Sequence, residues 1–294
     1  MNFSEMLAKA KAKAVKPGPK KASGNPVGKL AAAKSSSAAP SKAAVAAASG
    51  EKIVDFIIIG VQKAGTSAAV VNLTKHPDIW LKPGQVHYFD RWYPKGVKHY
   101  RDLMRPDKSG VKLVGEKTPT YIYCDGCMER IKEMAPKTKF LLFLREPTAR
   151  AYSHWNMVRN NMKEEDLPFA ECVDRELTTL MKQPKTFGNA LSHYVQRGFY
   201  MDQINKFLKV FPREQLCVVI AERIRAKPVE EHQRIFDFLG VDTVEIAAED
   251  VHLGKYKEGA KEATDKAQVK LKELYEPHNE RLFEWLGERI PEWE

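Results

Sequence analysis

Ile53-Val54-Asp55-Phe56-Ile57-Ile58-Ile59 runs straight into Gly60-Val61-Gln62-Lys63-Ala64-Gly65-Thr66-Ser67, and this junction decides the fold. The first stretch is mostly apolar and β-branched, which predicts a strand buried on both faces, as in parallel sheets. The glycines of the second stretch free the backbone to curl. Successive N–H groups then point at an anion in front of a helix N-terminus. Lys63 adds a point charge, while Thr66 and Ser67 add hydroxyl donors and open a helix through Lys75. The pattern resembles a phosphate loop, with a plain strand–turn–helix as the alternative, but is not a Walker A motif, because Lys63 precedes Gly65 instead of following it.

Two further apolar runs extend the pattern. Lys139-Phe140-Leu141-Leu142-Phe143-Leu144 stops at Arg145-Glu146-Pro147, and Pro147 is placed to begin a helix containing Arg150, Tyr152, Ser153 and Trp155. Leu216-Cys217-Val218-Val219-Ile220 is the third strand, and helical spacing fills about 168–182, 190–210, 228–239 and 264–288. Strands alternating with helices predict an α/β fold: a central parallel sheet with helices on both faces. Ligands in such folds bind at the carboxyl ends of the strands, so Gly60 and Arg145 are expected to border one crevice.

The bulk numbers narrow the function. The chain has 294 residues, enough for a sizeable core, and a formal charge of +10. Nine lysines against one acid, Glu5, place +8 of that charge in residues 1–50 and leave +2 for 51–294. The expected organisation is a disordered, basic Ala/Lys/Ser-rich tail over 1–50 and one folded domain over 51–294. A near-neutral folded part argues against nucleic acid as a partner. No apolar stretch approaches the length of a membrane span, and no compact apolar secretory core opens the chain. Residues 1–50 leave a transit segment open as an alternative to a solvated tail. Cys124 and Cys127 have the spacing of a metal or redox pair but lack a second pair of ligands, and read as two thiols beside a turn. Four scattered cysteines suit a reducing, cytoplasmic compartment.

Several segments in a fixed order carry a specific resemblance. The string over 56–80 resembles the phosphosulfate-binding loop of PAPS-dependent sulfotransferases, most closely in the heparan sulfate (glucosaminyl) branch. Gln85-Val86-His87-Tyr88-Phe89-Asp90 is similar to that branch's acceptor segment, and Gly115-Glu116-Lys117-Thr118-Pro119-Thr120-Tyr121 to its Glu-Lys-Thr-Pro segment. Phe143 to Ser153 resembles the part that holds a 3′-phosphate, and Leu253-Gly254-Lys255-Tyr256-Lys257-Glu258-Gly259 a late loop that closes over the nucleotide. The resemblance implies a P-loop-like sulfotransferase fold and PAPS (3′-phosphoadenylyl sulfate) as donor, with PAP as product. It implies donor contacts from Lys63, Ala64, Gly65, Thr66, Ser67, Arg145, Ser153, Lys255, Lys257 and Gly259. No metal is called for, since lysines can balance the charge that develops.

The residues agree with that assignment. PAPS has two anionic ends across a nucleoside: the loop at 60–67 suits one, and Arg145 with Ser153 suits the other through a fork of donors plus a hydroxyl. Lys63 and Lys117 are candidates to stabilise the oxygens of the transferring group. The branch carries a carboxylate where this chain has Gln85, which cannot take a proton. His87 is then a candidate base, Gln85 an orienting group, and Glu116 a further candidate; Arg197, with Tyr200, is expected to face acceptor or nucleotide. The acceptor is expected to offer a hydroxyl or an amine or guanidine nitrogen, and Gln85 and the near-neutral domain favour a small molecule over a sulfated polysaccharide. A catalytically silent nucleotide binder and a P-loop kinase or NTPase remain alternatives, and the oligomeric state stays open.

Overall fold

Strand β1 (Phe56–Gly60) lies at the centre of a five-stranded sheet and is buried along its whole length. A parallel strand covered on both faces has no polar side to show, which is why the apolar run does not alternate. The computed structural model describes residues 52–182, 192–246 and 261–294. With β2 (Ile79–Leu81), β3 (Leu113–Lys117), β4 (Lys139–Leu144) and β5 (Leu216–Ile220), the sheet runs β2-β3-β1-β4-β5, every neighbouring pair parallel. The chain leaves β1 toward β2 and β3 but leaves β4 toward β5. The switch point therefore lies between the carboxyl ends of β1 and β4, where Val61 N–H reaches Phe143 O across 2.7 Å.

Two strands carry no apolar run of their own. β2 is three residues long, and β3 ends in Gly115-Glu116-Lys117, whose polar ends break the pattern. Helices α1 (Thr66–Leu73), α2 (Gly96–Leu103), α3 (Cys127–Met134), α4 (Pro147–Asn156), α5 (Phe169–Lys182), α6 (Tyr200–Leu208), α7 (Ala221–Ala226), α8 (Pro228–Leu239) and α9 (Lys261–Leu286) surround the sheet. None is long and apolar enough to cross a membrane, among the described residues. Pro147 opens α4 at its first position, and the Glu146 carboxylate caps that helix by accepting Thr148 N–H at 2.9 Å and Ala149 N–H at 2.6 Å.

The helix expected over 190–210 is shorter in the structure and starts at Tyr200. Just upstream, the buried Glu176 carboxylate accepts the N–H groups of Val195 at 2.7 Å and Gln196 at 2.8 Å. Those donors are spent on a side chain from α5, so the segment forms only a short turn at Gln196–Gly198. The main core packs both faces of the sheet, and a second cluster joins α4 and α5 to the first half of α9 through Trp155, Phe169, Leu177, Tyr194 and Leu271. Past Pro277, α9 adds Leu282 and Phe283 to the main core.

Cys124 and Cys127 are corrected from two thiols to a disulfide. Gly126 takes φ 75°, a left-handed conformation that costs glycine little, and folds the tetrapeptide until the two Cα atoms lie 5.6 Å apart.

Candidate functional site

The loop after β1 supplies the first part of the site. Gly65 caps α1 at φ 83°, and Lys63 adopts φ 75°, a rare region for a residue with a Cβ. The loop thus spends backbone strain to turn sharply in front of the helix N-terminus. Ala64 and Thr66 are buried, while Lys63, Gly65 and Ser67 are partly open.

Two neighbouring strand ends converge on this loop. From the end of β4, Arg145 donates Nη1–H to Lys63 O at 3.4 Å, and Arg145 O accepts the Tyr200 hydroxyl at 2.6 Å. The Glu146 carboxylate beside it caps α4. From the end of β3, Lys117 donates to Ser67 Oγ at 3.2 Å. Burial lowers the pKa of Lys117. Ser153 lies on α4, 7% exposed.

Behind the loop the interior is cationic. Arg150 and His154 have no surface exposure, and neither His154 ring nitrogen nor Arg150 Nε and Nη1 has a hydrogen-bond partner. Burial first, then the charges of Arg150, Arg197, Lys63 and His193, hold His154 well below the usual histidine range. The imidazole is therefore neutral at physiological pH. Arg197, expected to face acceptor or nucleotide, is 4% exposed, with its guanidinium 4.4 Å from the centre of the Tyr123 ring. Burial brings it down to about 10, and Tyr123 Oη lies 2.9 Å from His193 Nδ1.

On the other side stands a histidine–aspartate pair. His87 precedes a short helical turn, Tyr88–Trp92, at φ 51°, and its Nδ1 lies 2.8 Å from Asp90 Oδ2. Burial pushes the Asp90 carboxyl up, but the hydrogen bonds from His87 and Thr120 and the His87 charge outweigh it, and its pKa is lowered. An ionised carboxylate only accepts, so Nδ1 is the nitrogen that carries the proton, and in the neutral ring Nε2 is the one with the lone pair. Thr120 Oγ1 donates to the same Asp90 oxygen at 3.1 Å, and Thr118 Oγ1 accepts His87 N–H at 3.1 Å. Gln85, two residues before, is exposed.

Glu116 departs from the expected base or acceptor contact. It has no surface exposure and accepts three hydroxyl groups: Tyr100 at 2.6 Å, Thr118 at 3.2 Å and Tyr121 at 3.3 Å. A carboxylate enclosed in this way cannot meet an acceptor. Lys255, Lys257 and Gly259 lie outside the described residues. Asp90, Thr118, Thr120, Arg150 and His154 join the site without having been singled out from sequence. Asp90 and the two threonines stood inside the quoted motifs, whereas the buried Arg150 and His154 gave no signal beyond helical spacing.

Lys63, Lys117 and Arg145 thus gather at the carboxyl ends of β1, β3 and β4, where a doubly wound sheet places its ligand. The chain belongs to the sulfotransferase family, for residues 54–281 match the sulfotransferase domain. It is a PAPS-dependent transferase with the P-loop-like fold of that family. Human heparan sulfate glucosamine 3-O-sulfotransferase 3A1 is 30% identical over 90% of this chain and 69% of its own length. The mouse 3B1 enzyme is 32% identical over 67% of this chain and 48% of its own. The chain therefore spans about half to two-thirds of the length of these curated relatives. A sulfotransferase from Alicyclobacillus acidocaldarius superposes with TM-score 0.67 and 25% identity, covering 82% of this chain and 98% of that one. The expectation of a cytoplasmic setting is overturned by these relatives, which are named for heparan sulfate glucosamine.

Proposed function

We propose that this chain moves the sulfuryl group of PAPS to a hydroxyl of a heparan-type glucosamine acceptor, with His87 as general base. The observation that carries this reading is the double reach of one strand end. Lys117 ties into the donor loop at Ser67, and Thr118, the next residue, holds the backbone of His87. Donor and base are thus set against each other by consecutive residues.

The residues fit a donor with two anionic ends. The loop at 60–67 would hold the 5′-phosphosulfate through Lys63, Ala64, Gly65, Thr66 and Ser67, and Arg145 with Ser153 would hold the 3′-phosphate. The part-open Lys63 and Arg145 beside the loop favour an anion over a neutral ligand there. PAPS, when bound, supplies a sulfuryl group activated by a phosphate leaving group. Lys63 and Lys117 stabilise charge on the oxygens around the transferring sulfur. His87 Nε2 accepts the hydroxyl proton, while Asp90 fixes the tautomer and stabilises the imidazolium. Gln85 orients the acceptor from the open side.

The acceptor class rests on the relatives named for heparan sulfate glucosamine. A small-molecule acceptor is the second reading, favoured by exposed Gln85 where the branch carries a carboxylate. The test is transfer of labelled sulfate from PAPS across heparan-type polysaccharides, phenols, alcohols and amines, with Lys63→Ala and His87→Ala alongside. Transfer to the polysaccharide, lost in both variants, is expected. Transfer confined to small acceptors removes the glucosamine assignment, and tight PAP binding without any transfer makes the chain a silent nucleotide binder.

A further inference from the structure

Glu116 is a buried carboxyl that no chemical step above employs. Burial pushes it up to about 7 against the pull of its hydroxyl donors, so enclosing it costs stability. Its partners account for that cost. Thr118 Oγ1 and Tyr121 Oη both donate to Glu116 Oε2, at 3.2 Å and 3.3 Å. Each of these hydroxyls also accepts a backbone N–H: Thr118 from His87 at 3.1 Å and Tyr121 from Phe89 at 3.2 Å. A hydroxyl has one proton to donate. Committing it to Glu116 turns the lone pairs toward the N–H groups, so one carboxyl orients two clamps on one turn.

That turn needs clamping. His87 sits at φ 51°, a region that costs a residue with a Cβ on the order of 1 kcal/mol or more unless its surroundings impose it. Along β3, Glu116 and Lys117 point to opposite sides. Lys117 reaches the donor loop, while Glu116 secures the segment that carries the base.

We propose that Glu116 is a positioning residue for sulfuryl transfer, holding the base-bearing turn at 87–89 through the hydroxyls of Thr118 and Tyr121. The inference rests on the reading of His87 as the base. Thr118→Val and Tyr121→Phe each remove one bridge while keeping shape, and Thr118→Ser restores the first. With PAPS and a heparan-type oligosaccharide, each loss variant is expected to lower kcat roughly 10- to 100-fold, because a base displaced by about 1 Å loses about that much. The KM for PAPS should stay within about twofold and Thr118→Ser should recover most of kcat, since uniform binding is untouched. Amide exchange at His87 and Phe89 should quicken roughly tenfold or more while that of the loop at 60–67 holds, which needs no acceptor at all. Unchanged kcat and unchanged exchange in both variants would overturn the inference. So would parallel losses of kcat, PAP affinity and melting temperature, which mark a general packing role. If Thr118→Val does not fold, Tyr121→Phe decides alone. His87→Ala separates the two layers: full activity there sinks the base assignment, whereas an inactive His87→Ala beside fully active bridge variants sinks only the positioning role.

Discussion

Lys117 Nζ and Ser67 Oγ meet at 3.2 Å, joining the carboxyl end of β3 to the first turn of the helix behind the phosphate loop. Lys117 is 8% exposed and its pKa is lowered by burial, so its charge is weakly screened where the sulfuryl group would transfer. Lys117→Ala is expected to reduce kcat by roughly 100- to 1,000-fold, the usual loss for one preorganised donor at developing charge. The KM for the acceptor should change little. Steady-state kinetics decide it, and a variant retaining more than about a third of wild-type kcat removes Lys117 from the chemistry.

Arg145 carries a different burden. It borders the donor crevice, and Glu146 beside it is committed to capping α4. Arg145→Ala should weaken PAP binding by roughly 10- to 100-fold, the worth of a charge-assisted hydrogen bond or two, and Ser153→Ala by about fivefold, the worth of a neutral one. Calorimetric titration with PAP measures both. Equal affinity in Arg145→Ala would leave the 3′-phosphate without its assigned partner.

How far the sequence speaks is visible in particular residues. The runs at 56–60, 139–144 and 216–220 announce buried strands because nothing polar interrupts them. β3 is silent by the same rule: its last two residues, Glu116 and Lys117, are polar for the sake of the site. His87 is legible as a possible base from its segment, but its partner Asp90 required the tight turn at Tyr88–Trp92 to bring residues three apart into contact. Arg150 and His154 are illegible, since a buried cation and an exposed one look alike in a helical pattern. The helix expected over 190–210 fails because Glu176 takes the N–H groups of Val195 and Gln196, which a helix begun at 190 would pair with carbonyls four residues back.

The two buried carboxyls give the stability a readable pH dependence. Burial holds both Glu116 and Glu176 up to about 7 against an ordinary 4.5. The folded state therefore keeps protons that the unfolded chain releases, and their contribution is complete below about 4.5 and lost as pH rises through about 7. His154, His193 and His232, all lowered mainly by burial, act in the opposite sense below their ordinary 6.5, so the net curve mixes signs. Substitution isolates the carboxyl. Relative to wild type, Glu116→Gln should gain stability with rising pH between about 4.5 and 7, by up to about 1.4 kcal/mol per unit, and level off above. Urea unfolding at four pH values tests this, and a difference that is flat with pH contradicts it.

The disulfide is expected to matter modestly. Cys124 and Cys127 close a loop of only four residues, which restricts the unfolded chain by roughly 2 kcal/mol in the loop-entropy account. Its position magnifies the local effect. Tyr123, immediately before it, touches Arg197 and His193, and Asp125 inside the loop pairs with Lys206 at 2.6 Å. The Cys124→Ser/Cys127→Ser variant should unfold at a lower urea concentration with an unchanged slope, since a four-residue loop barely alters the surface exposed. An unaltered midpoint would mean that this bridge leaves the unfolded chain unconstrained.

Asp90 offers the sharpest test of the base. As a carboxylate it accepts from His87 Nδ1 at 2.8 Å and from Thr120 Oγ1 at 3.1 Å, so the histidine proton is held on the side away from any acceptor. Asp90→Asn keeps the size and most of the packing but offers an amide whose NH₂ can donate to Nδ1. The imidazole proton then moves to Nε2, and the nitrogen that should receive the hydroxyl proton no longer has a lone pair. The expected loss in kcat is roughly 100- to 10,000-fold with the melting temperature within a few degrees of wild type. PAP affinity should persist, because neither Arg145 nor the loop at 60–67 is touched. Raising the pH should restore nothing, since the defect lies in where the proton sits and not in whether the ring is charged. A rate that recovers steadily with pH would instead show that Asp90 acts only through its charge, and His87 would then have to reach the acceptor in either tautomer.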